Sequence, residues 1–309
     1  MTTLGAVGAP TTPARAKRAA DDDRLWRWTS FGPALLLTLA IGTLPLLNLF
    51  VTSFFTVSWS GGRSTWTPVG LANYAQLPSD PLLQAGITNT TIFAFSAVVS
   101  QMVLGFLLAL LVSRIPRGQI LFRAIFILPI LIPGIVIGAI WQLLLNLDFG
   151  LVNQLLGLVG LGPHDWLGDP RTALLSVIVV DIWHWTPFCF LLLLAGIESL
   201  PEDVFEASKM DGASALQELW NITLPLMLPT ILVTLAFRLV LAFKVFDEVF
   251  LLTGGGPGTA TEVISFTIYQ RFFSEDRVGY GSAMSVVVIF VISLLLVLAL
   301  SSRRWATPR

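Results

Sequence analysis

Six long apolar runs constrain the fold of this chain more than any other feature of its sequence. They occupy residues 31–56, 87–112, 120–145, 172–197, 222–246 and 280–301. Each run is long enough for a transmembrane helix, which needs roughly 20 predominantly apolar residues. Only 12% of the 309 residues are charged, about half the share found in a typical soluble domain. The sequence therefore predicts an all-α polytopic membrane protein with six transmembrane helices.

Lysine and arginine are unequally distributed between the two sides of the predicted spans. If both termini lie on one side, twelve of the 18 basic residues lie there with them and four lie on the opposite side, while Arg238 and Lys244 belong to the fifth span or its end. Cytoplasmic segments near membrane spans are enriched in Lys and Arg. The distribution predicts an N-in, C-in topology, which also places the loop at 198–221 in the cytoplasm.

The segments outside the spans predict a simple domain organisation. Residues 1–29 are rich in Ala, Pro, Thr and charged residues, a composition typical of disorder. We predict a disordered cytoplasmic tail at 1–29, one transmembrane domain at 30–302 and a short cytoplasmic tail at 303–309. The longer loops on the other side carry Gly, Pro, Asn and Asp, which predict turns and short surface helices.

The sequence lacks the motifs of several enzyme classes. The glycine-rich run at 254–258 has no lysine for binding phosphate. Two histidines and a single cysteine, Cys189, cannot form a usual zinc site, and there is no G-x-S-x-G nucleophile motif. A net charge of −1 gives no general attraction for nucleic acid. We expect a non-catalytic chain with no metal, no cofactor of its own and no nucleic-acid partner.

The loop at 198–221 is highly charged for such an apolar chain. Its residues 201–210 have helical spacing, and Gly212 permits the left-handed backbone that ends a helix. Ser214, with Gln217 three residues later, matches a capping box at the start of a second helix. The pattern predicts a helix–turn–helix on the cytoplasmic surface that contacts a partner.

The spacing of residues in this loop resembles the EAA loop of the membrane subunits of bacterial ABC importers. The matching residues are Glu206-Ala207-Ser208, then Gly212 after three residues, then Ile222-Thr223-Leu224-Pro225 after nine more. Ser208 is the one departure, because the family pattern has a second alanine there. The resemblance implies a coupling helix seated in a cleft of a separate ATPase. Its contact residues would be Glu206, Ala207, Ser208, Asp211 and Gly212, with Glu206 paired to a base of the ATPase and Gly212 setting the turn.

The resemblance to this family extends over roughly residues 30–300. Segments such as GLANYAQL, FRAIFILPILIPGIVIGAIWQLLL and FLLTGGGPGTATEV are similar to the maltose-permease-like branch, which takes up carbohydrates. This implies a type I ABC importer permease fold in the bacterial inner membrane. It also implies three kinds of protein partner: a second permease, two copies of an ATPase that binds ATP and Mg, and an extracytoplasmic solute-binding protein.

Two stripes of residues within the spans suggest where a substrate passes. Asp181, His184, Trp185 and Phe188 follow helical spacing in the fourth span. A carboxylate accepts hydrogen bonds from sugar hydroxyls, an indole stacks on a sugar ring, and polar residues inside spans usually face a cavity. The alternative is that Asp181 and His184 simply pair with each other or with a neighbouring helix.

The second stripe lies in the fifth span and comprises Arg238, Leu241, Ala242 and Val245. An arginine inside a span needs a counter-charge or a ligand. Asp181 is one candidate partner, and an anionic substrate such as a sugar phosphate or sulfonate is the other.

The third span contains Pro129, Pro133 and Gly134, which predict a kink beside the substrate path, where it can act in gating. Proline and glycine are also ordinary residues in transmembrane helices, so a plain structural bend is the alternative.

Together these features predict a permease subunit of an ATP-driven importer for a sugar, oligosaccharide or polyol. The first alternative is a permease for an anionic sugar-related solute such as glycerol phosphate. A second is an ion-coupled secondary transporter that uses Asp181, His184, Arg238 and Lys244 as a relay. The coupling loop and the lack of inverted repeats count against that second alternative.

Overall fold

The computed structural model of the protein describes residues 13–115 and 118–306. The long helices are α1, α3, α7, α10 and α13, and shorter elements join them. In chain order the elements are α1 (Pro13–Thr52), β1 (Phe55–Ser60), β2 (Arg63–Pro68), α2 (Ala72–Gln76), α3 (Pro81–Ser113), α4 (Gln119–Ile127), α5 (Gly134–Leu144), α6 (Leu151–Leu158), α7 (Ala173–Glu198), α8 (Glu202–Met210), α9 (Ala215–Glu218), α10 (Leu224–Ala242), α11 (Asp247–Leu252), α12 (Ile264–Tyr269) and α13 (Val278–Ala306).

Four helical stretches among the described residues are long and apolar enough to cross a membrane. They are Trp28–Thr52, Pro81–Ser113, Ala173–Glu198 and Ala215–Ala242. A bent pair, Gln119–Leu131 with Gly134–Leu144, makes a fifth if it counts as one span, and Val278–Leu294 is a shorter apolar helix. The predicted helical membrane architecture is thus observed with four or five apolar spans.

A β-hairpin follows α1, so the prediction of an all-α chain is wrong in this segment. Strands β1 and β2 pair antiparallel from Phe55–Pro68 to Ser60–Arg63. Gly61 and Gly62, which join them, both have positive φ, as a tight two-residue hairpin turn requires. Aromatic and β-branched residues flank the two glycines, and this hairpin signal outweighs the turn-rich composition that predicted only turns and short helices.

The ends of the chain also differ from expectation. Helix α1 begins at Pro13, so residues 13–29 are helical where their composition predicted disorder. The Ala-rich segment has high helix propensity, and the apolar span that follows extends the same helix. Residues 1–12 lie outside the described part. Helix α13 continues to Ala306, and residues 307–309 also lie outside it.

Helices α3 and α7 form the centre of the molecule. Phe93, Ala97 and Val98 of α3 pack with Val177 and Val180 of α7 in the main core cluster. At Gly105 the two backbones are so close that an added Cβ would lie 2.8 Å from Cys189 Cβ. By contrast, no residue in the most apolar 18-residue window of α1 is buried within the chain.

The third predicted span is broken rather than gently kinked. Leu128–Leu131 form a 3₁₀ turn, Ile132 is extended, and α5 starts after Pro133 at an angle of 92°. Proline lacks an N–H and disfavours helix in the residue before it, which explains the break. Gly134 and Gly138 then let α5 pack closely against Asp247 and Leu251 of the α11 segment.

The fifth span ends earlier than predicted. Helix α10 stops at Ala242, and Val245 lies in the connection to α11, so the predicted stripe is not continuous helix. Helix α11 starts at Asp247 and has Glu248 in its first turn, a position where acids stabilise a helix N-terminus.

Candidate functional site

The charged loop at 198–221 folds as a helix–turn–helix on the molecular surface. Helix α8 ends at Met210, and Gly212 takes the predicted left-handed conformation with φ of +76°. The predicted capping box is present: Ser214 Oγ accepts from Gln217 N at 3.4 Å, and Gln217 Oε1 accepts from Ser214 N at 2.8 Å. The loop conformation predicted from the sequence is confirmed.

The loop presents charge and apolar side chains together. Glu206, Ala207, Asp211 and Gly212 are exposed, while Ser208 is buried and faces the body of the protein. The inward position of Ser208 explains why a small residue fits there. Large apolar side chains are exposed beside the acids, namely Val204, Met210, Leu216 and Trp220. Apolar surface rimmed by charge is typical of a protein-binding site.

A three-residue polar network lies between α3, α7 and α10. Arg238 Nη2 donates to Asp181 Oδ2, and Arg238 Nε donates to Gln101 Oε1 at 2.6 Å. Gln101 Nε2 donates to Asp181 Oδ2 at 2.8 Å and to its backbone oxygen at 2.9 Å. All three side chains are at most 2% exposed. The guanidinium of Arg238 is therefore neutralised within the chain.

A second buried link joins α7, α11 and the break in the third span. His184 Nδ1 lies 3.0 Å from Glu248 Oε1, and His184 Nε2 lies 3.2 Å from the backbone oxygen of Ile132. The Ile132 carbonyl sits at the break, where the helical hydrogen-bond pattern is interrupted. His184 thus stabilises the bend through its contact with this carbonyl.

A cavity of about 230 Å³ opens beside these two links. Its walls come from α5, α7, α10, α11 and the connection between α10 and α11. The lining residues are Gly134, Asp181, His184, Trp185, Leu241, Lys244, Val245, Phe246, Asp247 and Glu248. Lys244 and Asp247 are exposed at its mouth. Carboxylates, an imidazole and an indole in one small cavity can bind a hydroxylated solute by hydrogen bonds and ring stacking.

Known proteins identify this architecture. Residues 101–309 match the family described as "Binding-protein-dependent transport system inner membrane component". The chain belongs to this family. The family resemblance predicted from the EAA-like loop is thereby confirmed, and so is the assignment to a transport subunit rather than an enzyme.

Individual relatives cover most of the permease. The trehalose/maltose transport system permease protein MalF of Thermococcus litoralis is 35% identical over 84% of this chain and 87% of its own length. The sulfoquinovosyl glycerol transport system permease protein SmoG of Agrobacterium fabrum is 32% identical over 91% and 95%. A crystal structure of a bacterial ABC transporter that imports the acidic polysaccharide alginate matches with a TM-score of 0.82 at 24% identity, over 94% of this chain and 100% of that one. This likeness confirms the type I importer permease fold.

Most predicted pathway residues of the permease meet at the cavity, but three do not line it. Arg238 and Ala242 are buried behind the wall, and Phe188 packs on the edge of Trp185 at a ring separation of 6.1 Å. The Arg238 guanidinium carbon lies 5.1 Å from the centre of the Trp185 ring. Arg238 therefore supports the indole through a cation–π contact, while Trp185 itself lines the cavity.

Sequence reasoning did not assign Gln101 and Glu248 to the site. Gln101 is a polar residue in the middle of the second apolar run, and the cost of burying an amide in a span could have identified it. Glu248 lies two residues beyond the fifth apolar run, where the sequence indicates only a charge near the end of a span. Its contact with His184 depends on the turn between α10 and α11, which the apolar pattern does not reveal.

A polar cluster lies at the end of the permease opposite to α8. Asp80 caps α3 by accepting from Leu82 N and Leu83 N, and it also accepts from Arg271 and from Tyr280 Oη. Burial raises the pKa of the Asp80 carboxyl, but the hydrogen bonds from Arg271 and Tyr280 outweigh it and lower the pKa below its usual value. The cluster holds the starts of α3 and α13 together.

Proposed function

We propose that this chain is the membrane-spanning permease subunit of an ATP-driven, binding-protein-dependent importer of a sugar, oligosaccharide or polyol. It forms half of the translocation pathway through its permease domain at 30–302. The observation that carries the proposal is the exposed helix–turn–helix with Glu206 and Gly212, which is the surface a separate ATPase can grip. Family membership supports the same conclusion.

The proposal includes a topology and a set of partners. Six spans with both termini in the cytoplasm of a bacterial cell agree with the excess of Lys and Arg on that side. The importer contains a second permease, two copies of an ATPase that bind ATP and Mg, and an extracytoplasmic solute-binding protein. A structural neighbour, the alginate transporter, is known in complex with an alginate-bound periplasmic protein, which supports the last of these partners.

The cavity favours a neutral hydroxylated substrate. Arg238 is committed to Asp181 and Gln101 and does not line the cavity, so it offers no free charge to an anion. Relatives named for trehalose and maltose agree with this assignment.

Lys244 supports the alternative of an anionic sugar-related solute. It is exposed at the mouth of the cavity and could meet an acidic group there. The relatives named for sulfoquinovosyl glycerol and alginate handle acidic solutes. The two substrate classes differ in one testable way, because only the anionic class requires Lys244.

Reconstituted transport tests the function. The permease, its second permease and the ATPase are placed in proteoliposomes with ATP inside and loaded binding protein outside. We expect Glu206→Lys to reduce uptake at least tenfold while membrane insertion stays normal, because the reversed charge repels a basic partner residue. Asp148→Lys makes the same charge change at an exposed site remote from α8 and should leave uptake unchanged. Normal uptake by Glu206→Lys would refute the coupling role. Lys244→Gln distinguishes the two substrate classes, because it should reduce uptake of an anionic solute and leave uptake of a neutral sugar unchanged.

A further inference from the structure

The surface around α8 contains a polar network that the coupling loop alone does not require. It borders a cavity of about 780 Å³ next to the loop. Arg123 of α4 forms an ion pair with Glu198, the last residue of α7. Arg123 Nη2 also donates to Gln119 Oε1 at 3.2 Å, and Gln119 Nε2 donates to the Val112 backbone oxygen at the end of α3 at 3.0 Å. The network therefore joins α3, α4 and α7 at their ends nearest to the loop.

The connection from Glu198 to the coupling helix is short. Only residues 199–201 separate Glu198 from the start of α8 at Glu202. Ser199 Oγ donates to the Gly196 carbonyl at 2.7 Å and Leu200 N donates to the Ile197 carbonyl at 3.2 Å, so this connection is held in place. Both bonds run back into the last turn of α7, so Ser199 and Leu200 continue that helix end and only Pro201 lies between it and α8.

The other partner, Arg123, lies on the helix that leads to the break in the third span. From Arg123 to Leu131 the chain rises by about 14 Å as helix and 3₁₀ turn. At the far end, the Ile132 carbonyl accepts from His184 of α7, and Gly134 lines the substrate cavity. The segment at 119–132 is thus fastened to α7 at both ends, once by an ion pair and once by a hydrogen bond.

Local helix energetics do not explain these charges. Glu198 is an acid at the C-terminus of α7, a position that opposes the helix dipole. Arg123 is the fifth of the nine residues of α4, where the dipole has little effect. The ion pair therefore does not serve the stability of either helix by itself and instead connects the two helices.

On this basis, and relying on the function proposed above, we propose that Arg123 and Glu198 are positioning residues that join the coupling loop to the broken third span. The ion pair makes α4 move together with α7 and α8, so that a displacement of the loop by the ATPase reaches Gly134 at the cavity. Without the pair, α8 still binds the ATPase, but part of its movement no longer reaches the third span.

Solute transported per ATP hydrolysed is the measurement that tests this connection. The reconstituted importer is prepared with Arg123→Gln, with Glu198→Gln, and with the charge-exchanged double variant Arg123→Glu/Glu198→Arg. A partly exposed ion pair changes an equilibrium by about two- to fivefold. We expect each single variant to lower transport per ATP by about that factor, with normal co-purification of the ATPase. The double variant should restore the ratio because it keeps an ion pair at the same place, and its basic residue at the C-terminus of α7 suits the dipole of that helix.

Two controls separate this inference from a general loss of stability or of function. Arg171→Gln removes an exposed arginine at the opposite end of α7 and should keep the wild-type ratio. Thermal unfolding of each variant shows whether the fold is intact. A wild-type ratio in both single variants, or a double variant as defective as the singles, overturns the inference. If the wild-type complex contains no ATPase, the proposed function itself is refuted, and this inference with it.

Discussion

The buried Arg238–Asp181 pair gives the sharpest prediction about stability. Both side chains are at most 2% exposed, and Gln101 is the third member of the network. Removing one partner of a buried pair leaves an uncompensated charge and typically costs about 3–5 kcal/mol. We therefore expect Arg238→Gln alone, or Asp181→Asn alone, to lower the free energy of unfolding by about that amount.

Neutralising both charges together should cost far less. In Arg238→Gln/Asp181→Asn the two amides still offer polar partners to Gln101, and no buried charge remains. Replacing both partners of a buried ion pair with uncharged residues often changes the free energy of unfolding very little. We expect the double variant to recover all but about 1–2 kcal/mol of the stability lost by either single variant. This remaining loss reflects the weaker hydrogen bonds between the amides.

Intrinsic tryptophan fluorescence during unfolding in detergent measures these differences, since the chain has 10 Trp. Arg171→Gln, an exposed arginine, is the matched control and should unfold like the wild type. The reasoning fails if the single variants are as stable as the wild type, or if the double variant is less stable than either of them. Uptake of a neutral sugar by a stable double variant would further show that Arg238 is not a substrate ligand.

Three more predictions follow from single contacts. Trp185→Ala removes the indole that faces the cavity and should reduce uptake about tenfold with normal assembly, as expected for the loss of about 1.4 kcal/mol of binding. Trp183→Ala, on the exposed face of the same helix, is the control. Equal uptake by the two variants would show that the substrate does not bind at this cavity. Asp80→Asn should destabilise the protein by about 1–3 kcal/mol at neutral pH. Because the native pKa of Asp80 is lowered, its contribution is complete above the unfolded value of about 3.9 and is lost as the pH falls towards the native pKa, so the melting temperatures of the wild type and the variant should converge at low pH. A gap that stays constant at all pH values would contradict the role of this carboxylate. Gly105→Ala should lower the free energy of unfolding by about 1–3 kcal/mol, because the added Cβ would overlap α7. Gly157 has open space around it, so Gly157→Ala is the control and should not destabilise the protein. Identical melting curves for the two variants would refute the close approach of α3 to α7.

Local sequence patterns predicted the conformation of the loop at 198–221 in detail. The helix at 202–210, the left-handed Gly212 and the Ser214–Gln217 capping box depend on backbone conformation and on contacts within a few residues. Such features are encoded by residue type and spacing, so they can be read without knowing the fold. The β-hairpin also depends on neighbouring residues, and its Gly61-Gly62 turn is a recognisable hairpin signal. The many other turn-forming residues in the same outer loop made this signal easy to overlook.

The cavity between α5, α7 and α10 was predictable only in part. The stripe of Asp181, His184 and Trp185 faces the cavity as helical spacing suggested. The stripe on the fifth span is not continuous helix, because α10 ends at Ala242 and the chain turns into α11, and only Leu241 and Val245 of that stripe line the cavity. Apolar patterns report that a segment is buried but do not report where a buried helix bends.

The sequence by itself determined the class of this protein: apolar runs of membrane length require spans, and the loop spacing carries the family resemblance. Only the tertiary structure decided which polar groups meet. In the folded chain the partner of Arg238 is Asp181 and not a ligand. The packing also brings Glu248 to His184 and Arg123 to Glu198. These pairs join residues at least 57 positions apart. Their contacts arise from the packing of whole helices, which no local spacing records, whereas the hydrophobic length of a span and the caps of a helix are properties of neighbouring residues.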